Sequence, residues 1–240
     1  MSGASNTIRT DHDRTARLRV GGLALSLFIA PWLVVAANTG DSVTKLNGGD
    51  DLTPAGDLAL AAAHPTIAGW SNLAALLGAL LLVPATIGLM RLLRDRAARL
   101  SLIGGVLMAT GYVCYFALVF QGFTTSAMVA VSGPTAHDAA VLQAVLDEHK
   151  TVWVYIAFVV GNLAGTFLVA LAMLRARITP RWAGFAVLAW PVLHLAGLPW
   201  FEVAGAVAQG AGMAAAATVL IRQHRSRGRD ETQPYELLRK

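Results

Sequence analysis

Two ionisable residues, His194 and Glu202, lie inside the apolar run LAWPVLHLAGLPWFEVAGA of residues 188–206. An ionisable side chain at membrane depth costs on the order of 2.5 to 3.5 kcal/mol even on a permissive insertion scale, so it usually faces protein or water. Both residues flank one short turn and can approach each other across it. The pattern predicts a site for a small polar molecule, a lipid headgroup or a proton.

Each of the two residues also has a structural interpretation. Glu202 falls in the first turn after Pro199, where a carboxylate complements the positive end of a helix dipole. His194 can donate to a backbone carbonyl or to Glu202. The sequence leaves the structural and the functional interpretations open.

Four further polar residues lie in the apolar stretches, on the same side of the membrane midplane as this pair. Together the six predict an outward-facing polar pocket lined by His194, Glu202, Asn162, Asn72, Gln121 and Gln209. No H-x-x-x-H or H-E-x-x-H spacing brings two histidines together, so we predict neither a metal site nor a cofactor. The motifs G-x-S-x-G, Walker A and C-x-x-C-H are missing as well, so we assign no catalytic residue.

The elements that position these residues follow from composition. The chain of 240 residues is 55% hydrophobic and 14% charged, with a mean hydropathy of +0.56, which is typical of a membrane protein. Because a hydrocarbon core of ~30 Å needs about 20 apolar residues per helix, we predict six spans. They cover residues 20–37, 67–93, 100–123, 152–174, 182–198 and 201–221. The last two are divided at Pro199, which lacks the N–H of an interior helical turn and favours the start of a new helix.

The basic residues set the predicted orientation. With a cytoplasmic N-terminus, 17 of the 19 Lys and Arg residues lie inside, and only Lys45 and Lys150 lie outside. Residues 1–19 and 223–240 are then cytoplasmic tails, and we expect the first, and the second from about Ser226, to be disordered. Basic segments next to the membrane spans, which face anionic lipid headgroups, explain the pI of 9.9. We therefore predict that the chain interacts with the lipid bilayer and not with a nucleic acid.

Two segments on the outer side predict short amphipathic helices. Thr53 and Pro54 form a cap and first-turn pair. In the segment 124–151, Val141, Leu142, Val145 and Leu146 share one helical face. The predicted fold is therefore an all-α polytopic membrane helix bundle of six transmembrane helices, with both termini cytoplasmic and two outer-face helices.

Small residues indicate close helix contacts. Gly161 and Gly165 form a G-x-x-x-G pair, and a second ridge consists of Ala204, Ala208, Gly212 and Ala216. Such faces serve packing within one chain or a homo-oligomer. The first apolar run also has small residues suited to signal-peptide cleavage at VVAAN, but its 18 residues exceed the usual core of about 7 to 15, so we expect an uncleaved anchor.

Two stretches carry a resemblance to a known family. AAAHPTIAGWSNLAALLGALLLVPATIGLMRLLRDRAARLSLIGGVLMATG and HKTVWVYIAFVVGNLAGTFLVALAMLRARITPRWAGFAVLAW contain the turn L-x-R-L-L-R and the motif ITPRW. Over residues 20–222 the chain resembles a family of uncharacterised bacterial multi-pass membrane proteins, defined by a domain of unknown function. The resemblance implies a bacterial plasma membrane location and six helices, and it assigns no catalytic residue.

Two functions follow from these observations. One is the binding or movement of a small polar molecule or lipid through the outward-facing pocket. The other is a structural or interaction role as a subunit of a membrane complex without a ligand, in which the polar groups satisfy each other and the backbone.

Overall fold

The chain folds into helices joined by short links. A computed structural model describes the backbone of residues 3–46 and 53–230 and the side chains of 20–46 and 53–226, and no strand occurs in these residues. The helices are α1 (Gly3–Leu46), α2 (Pro54–Ala63), α3 (Pro65–Ser132), α4 (Ala136–Asp147), α5 (His149–Ala176), α6 (Arg181–His194) and α7 (Pro199–Asp230). The all-helical prediction is confirmed for this part of the chain.

Helix α3 is a hairpin of two antiparallel arms rather than one rod. Ala97 has non-helical dihedral angles (φ −142°, ψ 44°) within a helix of 68 residues. The arms, residues 65–96 and 98–132, then run back along each other, since Gly105 lies against Met90 and Gly122 lies against Asn72. At about 1.5 Å per residue, either arm exceeds a hydrocarbon core of ~30 Å. The turn falls in the arginine-rich segment predicted to separate the second and third spans.

Among the described residues, four helices are long and apolar enough to cross a membrane: the segment 20–46 of α1, then α3, α5 and the segment 199–226 of α7. Helix α6 has only 14 residues, about 21 Å at the usual helical rise. It ends at His194, short of the predicted end at residue 198, because a turn with Gly197 at φ 66° follows. Helix α7 begins at Pro199, as predicted.

Two helix ends differ from the sequence interpretation. Helix α1 begins at Gly3, so the backbone of residues 3–19, predicted to be disordered, is helical. Helix α7 continues to Asp230, so the backbone of residues 226–230, also predicted to be disordered, is helical, and residues 231–240 lie outside the described residues. The polar composition of residues 3–19 predicts exposure to water, but an exposed segment can still be helical, and arginine is a good helix former.

The core lies where α1, α3, α5, α6 and α7 meet, around Leu27, Leu89, Met108, Met173 and Met213. Lipid tails are as apolar as these side chains, so close van der Waals packing must hold such a bundle together.

The closest packing is between the second arm of α3 and α5. A Cβ added at Gly111 would lie 2.6 Å from the backbone nitrogen of Asn162, and one at Gly161 would lie 2.6 Å from the carbonyl oxygen of Leu107. A Cβ at Gly165 would collide with the backbone of Met108. The predicted G-x-x-x-G pair therefore packs inside this chain.

Each of the two short helices begins at a threonine cap, of which the sequence predicted the one at Thr53. The Thr53 hydroxyl accepts from the Gly56 N–H at 3.1 Å, and the Thr135 hydroxyl accepts from the Asp138 N–H at 3.2 Å. Of α4, only Leu142 is buried, while Val141, Val145 and Leu146 on the same predicted face stay exposed. Helix α4 thus rests on the bundle through a single apolar side chain.

Candidate functional site

The two ends of the bundle differ in chemistry. At the first, the Ser42 hydroxyl of α1 donates to the Pro199 carbonyl of α7 at 2.9 Å, and we call this the Pro199 end. At the opposite end, near Ala97, a cavity is bordered by Arg91, Arg94 and His224. Two arginines and a histidine thus gather at the end away from Pro199, where Asp95 borders the same cavity.

A polar cavity of about 250 Å³ opens at the Pro199 end, between α1, α2 and both arms of α3. The polar side chains in its lining are Asp41, Thr44, Asp57, Ser71, Asn72, Thr125 and Ser126. Residues with hydroxyl, amide and carboxylate side chains therefore border a single open cavity, which suits recognition of a small polar group.

Two glycines make room for the polar side chains in this cavity. A Cβ at Gly40 would overlap the Ser71 hydroxyl, and a Cβ at Gly122 would lie 2.5 Å from the Asn72 Oδ1. Both glycines line the cavity. Their missing side chains bring Ser71 and Asn72 against the backbones of α1 and of the second arm of α3.

Most cavity hydroxyls donate their proton to a neighbouring group. Thr44 donates to the Asp41 carbonyl at 2.8 Å, and Ser126 donates to the Gly122 carbonyl at 2.9 Å. Thr125 donates to the Asp57 carboxylate at 3.3 Å. The Asp41 carboxylate pairs with Lys45 at 2.7 Å, one helical turn further along α1.

His194 and Glu202 approach each other across the turn between α6 and α7. The Nδ1 of His194 lies 3.9 Å from the Oε1 of Glu202, within ion-pair range but beyond hydrogen-bond length. The imidazole stacks on Trp190 with ring centroids 5.0 Å apart. Both the His194 Nδ1 and the Trp190 Nε1 are buried and have no hydrogen-bond partner among the described residues. Trp190, which is 4% exposed, is part of the interior.

Asn162 and Gln209 lie inside the bundle and not in a surface pocket. Their side chains are 4% and 2% exposed, respectively. Gln209 lies next to the hydroxyl of Tyr112, which is also buried. The Asn162 Oδ1 and the Gln209 Nε2 have no hydrogen-bond partner among the described residues.

Gln121 lies in an apolar groove between the second arm of α3, α4 and α5. The groove consists of two adjoining spaces of about 350 and 430 Å³. Leu118, Gln121, Leu142 and Thr151 border both spaces. Asp57 borders the first of these spaces and also the polar cavity.

The six predicted residues therefore do not line one common pocket. Asn72 borders the polar cavity, Gln121 borders the apolar groove, and neither lining contains any other member of the set. Their role in ligand binding stays a prediction. The sequence interpretation did not include Asp41 and Asp57 in the pocket, because both lie in the outer segment between the first two predicted spans.

Neither a metal centre nor a family assignment emerges. No group of three or more His, Cys, Asp or Glu side chains is placed to hold a metal ion among the described residues. Comparison with protein-family models, with curated proteins and with solved structures gave no match. The resemblance to a family of uncharacterised bacterial membrane proteins therefore stays a prediction.

Proposed function

We propose that this chain is an integral protein of the cell membrane that binds a small polar molecule or a lipid headgroup in the polar cavity. The observation that carries the proposal is the convergence of Asp41, Asp57, Ser71 and Asn72 on one cavity of about 250 Å³. Several hydrogen-bonding groups that converge on one concave volume are typical of a site for a small polar molecule.

The proposed topology has six crossings with both termini in the cytoplasm. Segments 20–46, 149–176 and 199–226 and the two arms of α3 supply five crossings, and α6 with the turn after it supplies the sixth. The basic cavity bordered by Arg91, Arg94 and His224 supports placing the Ala97 end inside. The polar cavity then opens outward.

A structural role without a ligand is the competing function. In favour of it, the Gly161 and Gly165 faces are filled within this chain, as expected of a simple packed bundle. Against it stand the buried atoms His194 Nδ1 and Gln209 Nε2, which have no partner among the described residues. Buried polar atoms in folded proteins are nearly always hydrogen-bonded.

Native mass spectrometry of the protein in mild detergent tests the binding proposal. We expect a discrete adduct on the parent chain that is lost in Asn72→Ala, whose amide borders the cavity. Thr218→Ala is the matched control, because the Thr218 hydroxyl is exposed and donates only to its own helix. An adduct that survives Asn72→Ala but is lost in His194→Ala and Glu202→Gln would move the site to the turn between α6 and α7. No adduct on any chain would favour the structural role.

Cysteine labelling tests the topology. In a Cys114→Ala background, we expect Leu46→Cys to react with a membrane-impermeant maleimide in intact cells. Arg94→Cys is expected to react only after permeabilisation. Both side chains are exposed in the structure, so the labelling depends on the side of the membrane and not on burial. The reverse pattern would overturn the orientation.

A further inference from the structure

We infer that the basic cavity at the Ala97 end, bordered by Arg91, Arg94 and His224, binds a phosphate group, carried by a phospholipid head or free in solution. Three features of the cavity support a phosphate: an unpaired arginine, further donors beside it, and its position where the apolar segments end. Because this cavity lies at the opposite end of the bundle from the polar cavity, it is a second site that does not depend on the proposed function.

Three helices build the basic cavity, which has a volume of about 280 Å³. Arg91 and Arg94 come from the first arm of α3, and their spacing of three residues places them side by side on one face of the helix. Gln223 and His224 come from α7, and Val20 comes from α1. Two exposed arginines and two half-buried polar residues of another helix therefore border one volume.

Positive charge exceeds negative charge in the lining. Arg91 has no ion-pair partner among the described residues. Arg94 contacts the carboxylate of Asp95 through its Nε at 3.3 Å, which leaves its two terminal nitrogens for a ligand. Two guanidinium groups thus border the cavity together with one carboxylate. Since a guanidinium has donors and no acceptor, a ligand of Arg91 must bring acceptor oxygens, and a negative charge on them strengthens the bonds.

The residues of α7 add neutral donors to the two cations. A glutamine amide carries two N–H donors, and a histidine ring keeps at least one N–H in either protonation state. The Ser226 hydroxyl donates to the backbone carbonyl of Gln223, so this bond leaves the Gln223 side chain to the cavity. The amide also offers an acceptor, so the arginines and not Gln223 decide the sign of the ligand. A phosphate has three strong acceptor oxygens and matches the fork of an arginine, so it can use donors from both helices at once.

The apolar part of the lining places the cavity at the boundary of the apolar segments. Val20 is the first residue of the apolar segment 20–46, and Leu220 is 7% exposed and belongs to the core. The polar pair Gln223 and His224 follows Leu220 within about one helical turn of α7. Phospholipid phosphates lie at this level, between the hydrocarbon core and water. Basic pockets between membrane helices are known to bind anionic lipid heads.

The first test compares lipids that differ only in the phosphate. The full chain is loaded in mixed micelles with phosphatidic acid or with diacylglycerol of the same acyl chains, and retained lipid is counted by native mass spectrometry. We expect at least about ten-fold more phosphatidic acid, the ratio that one charge-assisted hydrogen bond supplies. This comparison needs no variant, so it does not depend on a mutant that folds.

Inorganic phosphate separates the two sources. A preference for phosphatidic acid that an equimolar amount of inorganic phosphate leaves unchanged would assign the site to a lipid head. Binding of inorganic phosphate alone, measured by equilibrium dialysis, would assign it to free phosphate. Equal retention of the two lipids together with no binding of inorganic phosphate would overturn the inference.

Variants then locate the phosphate. Arg91→Gln is expected to remove the preference for phosphate, and because Arg91 is exposed, its replacement leaves the core unchanged. Arg222→Gln is the matched control, since it removes the same charge from an exposed position of α7 that does not border the cavity. Asn72→Ala, at the other end of the bundle, should also keep the preference, so failure of this site is distinguishable from failure of the proposed function. Equal losses in Arg91→Gln and Arg222→Gln would overturn the site, because net charge alone would then explain the binding.

Discussion

The contact between the second arm of α3 and α5 predicts a large effect of a single methyl group. In Gly111→Ala, the new Cβ would lie 2.6 Å from the Asn162 nitrogen and 2.8 Å from the Gly161 carbonyl carbon. Both neighbours are backbone atoms of α5, which cannot rotate away, so the helices must separate. Overpacking of this kind costs about 1 to 3 kcal/mol, and the better helix propensity of alanine returns up to about 1 kcal/mol.

Gly69→Ala is the matched control, because a Cβ at Gly69 meets nothing within 4 Å. It gains the same propensity without the collision, so the two variants should differ by about 1 to 3 kcal/mol. For a chain of this size, 1 kcal/mol shifts Tm by roughly 2 to 4 °C. We therefore expect Gly111→Ala to melt roughly 3 to 10 °C below Gly69→Ala when thermal unfolding is followed by circular dichroism in detergent. Equal melting temperatures would refute the packing of Gly111 against Gly161.

Two further predictions concern α4. Leu142→Ala removes the one buried side chain of α4, at a cost of about 2 kcal/mol or more. Amide hydrogen exchange of residues 136–147 should therefore accelerate in this variant. Val141→Ala changes an exposed position and should leave the exchange rates of α4 unchanged. The hydroxyls of Ser132 and Thr135 each donate to the Asp138 carboxylate at 2.6 Å and lower its pKa below the usual 3.8. Because the folded-state pKa is the lower one, this stabilisation is present above pH 3.8 and is lost as the pH falls through the folded value. In the parent chain, amide hydrogen exchange in the first turn of α4, corrected for its intrinsic pH dependence, should therefore accelerate as the pH falls below 3.8. An equal acceleration in Asp138→Asn would contradict the stabilising role of the Asp138 carboxylate.

Hydropathy predicted where the apolar segments lie but not where the helices end. The start of a helix at Pro199 follows from the missing N–H of proline, and the turn near Ala97 follows from the cluster of charged residues around it. Both signals are local in the sequence. The extension of α1 from residue 37 to Leu46 leaves the apolar run and places Asp41 and Thr44 against other helices. Such an extension depends on tertiary contacts, here the Ser42 bond to Pro199, that a window of one segment does not contain.

The candidate site residues were likewise predictable only where they are close in the sequence. The approach of His194 to Glu202 was predictable because both flank one short turn. The polar cavity was not, since its walls come from α1, α2 and both arms of α3. A local signal did exist, because Gly40 and Thr44 are spaced to share one face of α1 with Asp41 beside them. That signal is a small-residue face on a helix, which favours close packing but does not by itself indicate a cavity.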